Sequence, residues 1–145
     1  MGWHPYDLDH LAQEIVLRAR KRDPETLNQA YKMRTACAYG LERFWGEHLR
    51  LADKEIEKAA FVADVWKAFV GILHKSGAGI ELPGTMLSNK DSEAEIQAAA
   101  YQIWQLSPET HQVCLAVLTS LCDSVVWWTQ RLKLPKGGKA NASTP

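Results

Sequence analysis

The stretch from Val113 to Trp128, VCLAVLTSLCDSVVWW, puts large apolar residues on nearly every face of a helix. A helix of that kind has to be enclosed by other helices or by a partner. Its start is marked by Ser107-Pro108-Glu109-Thr110, with Ser as N-cap and Pro at the first helical position. Beyond it the chain runs into Arg131, Lys133, Lys136 and Lys139. At roughly 16 residues the run falls short of the ~20 that a bilayer requires, and it carries an aspartate and three hydroxyl residues. The expectation is a buried helical centre in a soluble, cytoplasmic protein with no signal peptide.

A chain of 145 residues is long enough to bury a core without staples, and one domain is expected over residues 1–134. The 17 basic residues equal the 17 acidic ones, so no global pull toward nucleic acid or membrane exists and any charge argument has to be local. Cys37, Cys114 and Cys122 are too few and too far apart for a disulfide framework or a zinc site. They read as small core residues in a reducing compartment.

Helical periodicity runs through the rest. Leu8, Leu11, Ala12, Ile15, Val16 and Ala19 give one apolar face to a helix from Asp7 to about Lys21. Asp23-Pro24-Glu25 stops it and starts a second element from Pro24 to about Leu51, in which Gly40 predicts a bend or a close helix contact. A third helix, capped by Asp53, is expected to about His74, and a fourth, capped by Ser92 or Asp91, to Leu106. Between them KSGAGIELPGTMLSNKD, Lys75 to Asp91, reads as one long functional or mobile loop. The residues from Pro135 to Pro145 cannot form a core and are expected to be a disordered basic tail. The fold class is therefore all-α, a compact bundle of about five helices.

No assembled catalytic site emerges. His4, Asp7 and His10 recur at three-residue intervals, a spacing that could hold a divalent metal, but no fourth ligand lies nearby. Asp7 and Asp9 equally well complement a helix N-terminus. No Ser or Cys sits on a strained turn with a His and an acid, and KSGAGIELPG lacks the Lys-Ser/Thr ending of a phosphate loop. A non-enzyme without cofactor or metal is the expectation.

The basic residues are more informative. Arg18, Arg20, Lys21 and Arg22 fall within five positions, and Lys32, Arg34 and Arg43 follow on the second element. An antiparallel pairing of the first two helices would gather these seven into a positive patch able to hold phosphates without reading bases. The competing reading is that cations at a helix end oppose its dipole and keep the surface soluble. The tryptophans, at helical spacing, read as core or subunit contacts.

Two segments also carry a likeness: Tyr31-Lys32-Met33-Arg34 leading to Gly40-Leu41, and Leu118-x-x-Leu121-Cys122 followed by Trp127-Trp128-x-x-Arg131-Leu132. In this the chain resembles the small all-helical subunit of multi-subunit CRISPR effector complexes of the Cascade and Cmr types, loosely over Tyr31 to Leu132. The resemblance implies a non-catalytic antiviral scaffold, present in multiple copies among the other subunits of a ribonucleoprotein, that stabilises a target or displaced DNA strand while guide RNA supplies the sequence specificity. The rival reading is a helical adaptor or self-associating bundle that binds no nucleic acid.

Overall fold

A computed structural model describes residues 5–84 and 86–134. His4 and the expected tail at 135–145 lie outside them. Six α-helices follow one another: α1 (Pro5–Arg22), α2 (Gln29–Ala36), α3 (Leu41–Ala52), α4 (Ile56–Ser76), α5 (Glu93–Trp104) and α6 (Pro108–Leu132). Short 3-10 turns, Pro24–Asn28 and Cys37–Tyr39, flank α2, and no strand occurs among the described residues.

Several boundaries follow directly from capping chemistry. Asp23 accepts from the Glu25 N–H at 3.0 Å, Ser107 accepts from Thr110 N–H at 3.1 Å, and Ser92 forms a reciprocal capping box with Glu95. Asp53 does not cap α4 as expected. The Leu51 carbonyl accepts from both Lys54 and Glu55, so a tight turn closes α3 there and delays the next helix to Ile56.

The second expected helix is two. Gly40 takes φ 102° and ψ 170°, a backbone region that is essentially glycine's alone, and the chain changes direction there. This break raises the helix count from five to six.

Buried residues from all six helices form one apolar cluster. The apolar C-terminal helix lies at its centre: α6 packs against α1, α2, α3 and α4, burying Cys114, Val117, Leu118, Leu121, Cys122 and Val125. By length and hydropathy α6 is the one helix among the described residues sufficient to cross a bilayer. In the bundle that apolar surface is what holds the other helices together. Trp127 stays half exposed while Trp128 turns partly inward, their rings edge to face at 4.9 Å.

A second aromatic centre joins α3 to α4. Trp66 is fully buried, stacked on Phe44 at 6.0 Å and edge-on to Phe69 at 5.1 Å. Its indole N–H donates to the Pro83 carbonyl at 2.8 Å. The irregular stretch 77–92 is thereby tied to the bundle, with two further ties where His48 Nδ1 donates to Leu87 O at 2.8 Å and Asn89 Nδ2 to Leu49 O at 3.3 Å. Within it, Leu82 and Pro83 are buried.

Candidate nucleic-acid interface

Helix α1 packs on α4 and α6, and α2 packs chiefly on α6, so the two do not form the expected hairpin. The broad apolar surface of α6 receives both, and the seven cations are divided accordingly. Arg18 and Arg22 both reach Asp64 on α4, Arg18 at 3.2 Å. Arg20 donates to the Leu132 carbonyl at 3.0 Å, where it answers the free carbonyl end of α6. Arg34 pairs with Asp123 at 2.5 Å, and that carboxylate holds its guanidinium pKa above the ordinary value. A guanidinium already paired with a carboxylate has part of its charge answered and some of its donors occupied within the fold, which weakens its contact with a phosphate.

Lys21, Lys32 and Arg43 remain. Among the described residues none of the three lies within ion-pair distance of a carboxylate. Lys32 and Arg43 border an open groove of about 420 Å³ along the outer face of α2 and the start of α3. The periodicity of α2 creates that face: Ala30, Met33 and Cys37 are turned into the core, which leaves Lys32, Thr35 and Tyr39 outward at helical intervals. The one acid lining the groove, Glu47, is engaged by Arg50, with Nε at 2.7 Å. Its charge is thus answered from outside, and the groove's own balance is positive.

Two aromatic residues of the groove were not among the candidates read from the sequence. Tyr31 and Tyr39 line it, Tyr39 being 65% exposed. The Arg43 guanidinium lies 5.6 Å from the Tyr39 ring centroid, and the Lys133 ammonium lies 5.4 Å from that of Tyr31 while donating to Asn28 at 3.2 Å. These are cation–π distances. The spacing Tyr31, Thr35, Tyr39 was the available signal. Lys133 comes from 102 positions away in the chain and had no local signal.

The thiols are enclosed. Cys37, Cys114 and Cys122 are all buried; the hydrogen bond with Cys37 and then burial push the Cys122 thiol well up, and burial raises that of Cys114. Thiolate chemistry is disfavoured at both. No group of three metal-ligating side chains gathers among the described residues; of the His4, Asp7 and His10 spacing, His4 and the Asp7 side chain lie outside them. No protein-family model, curated protein or solved structure matches the chain.

Proposed function

We propose that this chain is a non-catalytic small subunit of an RNA-guided, antiviral effector complex, acting in the cytoplasm as a scaffold that steadies a bound or displaced nucleic-acid strand through sequence-independent phosphate contacts. One observation carries the reading: Lys32 and Arg43 border a groove whose single acid is already answered by Arg50. The contact surface is narrower than the seven-residue patch read from the sequence. It centres on Lys32 and Arg43, whereas Arg18, Arg20, Arg22 and Arg34 act mainly within the fold.

Titration of labelled single- and double-stranded DNA and RNA across a range of salt tests this. Each phosphate neutralised contributes about 0.7 to 0.9 to the slope of log K against log salt. The double change Lys32→Ala, Arg43→Ala is expected to reduce that slope by roughly 1.4 to 1.8 and to weaken binding to all sequences alike. Changing Arg18 and Arg22 to Ala should lower thermal stability and leave the slope nearly intact. Absence of salt-sensitive binding, by the chain alone and in its assembly, refutes the proposal.

The adaptor reading has its own support. Tyr101 and Trp104 on α5, and Val113 in the second turn of α6, are each more than half exposed. Aromatic side chains on an open helix face are the usual anchors of protein contacts.

A further inference from the structure

Phosphate binding alone needs no aromatic rings, yet the groove on α2 has one toward each end. Tyr31 on α2 and Tyr39 in the 3-10 turn that follows it are eight positions apart, about 13 Å at ~1.5 Å per α-helical and ~2.0 Å per 3-10 residue. Lys32, Thr35 and Arg43 lie between or beside them. Each phenol is approached by one cation, Lys133 at 5.4 Å from the Tyr31 centroid and Arg43 at 5.6 Å from that of Tyr39. Rings and cations therefore sit side by side here, as do bases and phosphates along a strand. Stacked nucleotides advance by about 3.4 Å, so a separation of about 13 Å spans roughly four such steps.

The faces of paired bases are hidden within a duplex, whereas unpaired bases offer theirs to any ring of matching breadth. Tyr39, at 65% exposure, leaves most of its ring open to such a partner even with Arg43 beside it. An acidic peptide would satisfy Lys32 and Arg43 but leave both rings without a role. Stacking tolerates any sequence, since every base has a π-face, and it agrees with a groove that presents few fixed hydrogen-bonding groups.

We propose that the groove holds a single strand whose unpaired bases stack on Tyr39 and Tyr31 while the phosphates between them meet Lys32 and Arg43. This rests on the phosphate-binding reading above and adds to it a requirement for bases. Duplex DNA and a base-free strand lack that second contribution.

The test compares binding of the full chain to three labelled probes at low ionic strength: oligo(dT), an abasic phosphodiester strand of equal length, and a duplex. Oligo(dT) is expected to bind at least about fivefold more tightly than the abasic strand. Tyr39→Ala should weaken oligo(dT) binding by about 5- to 150-fold, leave the abasic strand unaffected and keep the salt slope unchanged. Tyr39→Phe, which keeps the ring, should bind as the unaltered chain does, and circular dichroism of both variants controls for folding. Equal affinity for oligo(dT) and the abasic strand, or an Ala variant indistinguishable from the parent, overturns the stacking proposal and leaves the phosphate reading standing. Stronger binding of an acidic peptide than of oligo(dT) also overturns it. Loss of salt-sensitive binding to every nucleic-acid probe removes both.

Discussion

At Gly40 a positive φ of 102° joins the turn bearing Tyr39 to the helix bearing Arg43. A Cβ there would meet only the His111 ring, at 3.6 Å, so space is not what demands glycine; the torsion is. His111 Nε2 also accepts from the Leu41 N–H at 3.5 Å, at the start of a helix with no side-chain cap of its own. Gly40→Ala is expected to lower the unfolding free energy by about 1 to 3 kcal/mol, measured by denaturant titration, and to weaken strand binding as the groove shifts. A variant as stable as the parent would show that the torsion carries no strain. The sequence marked this glycine as a bend, and its torsion makes it a break. Asp64 was harder to see, because its two arginine partners lie 42 and 46 positions away and fold topology alone unites them. The same limit applies to Lys133 over Tyr31, whereas Tyr39, in the turn after α2, stands at helical spacing from Tyr31 and Thr35 in the sequence.

Among the elements, the start signals at Asp23, Ser92 and Ser107 were readable because each cap is a local contact within three residues. The placement of the 77–92 stretch was not, since each of its ties pairs a side chain with a distant backbone carbonyl, two of them carbonyls of the stretch meeting side chains of α3 and α4. Carbonyls leave no trace in an amino-acid sequence. Trp66 makes the most buried of these ties, so Trp66→Phe keeps an aromatic ring in the core and removes one bond to the segment. Limited proteolysis within 77–92 is expected to accelerate in that variant, with a loss of about 1 kcal/mol or somewhat more in global stability. Unchanged cleavage would mean that His48 and Asn89 hold the segment without it. Helix α5 follows from the same chemistry: Ala99, Ala100 and Ile103 cover part of α3, while Tyr101 and Trp104 are left outward by the period of the helix.

For the molecule as a whole, the fold class was legible and the charge distribution was not. Periodic apolar positions indicate that helices bury one face, yet which helices become neighbours depends on how broad a surface α6 offers. That breadth separated α1 from α2 and drew three of the seven cations into intramolecular ion pairs and a fourth, Arg20, onto a helix-end carbonyl. Tyr101→Ser combined with Trp104→Ser is expected to reduce association with other copies or partner subunits by tenfold or more, about 1.4 kcal/mol or above, while leaving the melting temperature nearly constant. Sedimentation of the full chain over a concentration series reads the first effect, and an unchanged association constant would assign that face no role in assembly. The central position of α6 has one more consequence, for synthesis in the cell. Ribosomes add about 5 to 20 residues each second, so roughly 5 to 20 seconds separate the completion of α1 from that of α6. Throughout that interval the apolar stripe of α1, from Leu8 to Ala19, has no α6 to cover it, and the nascent chain is a natural client for chaperones that shield such stripes.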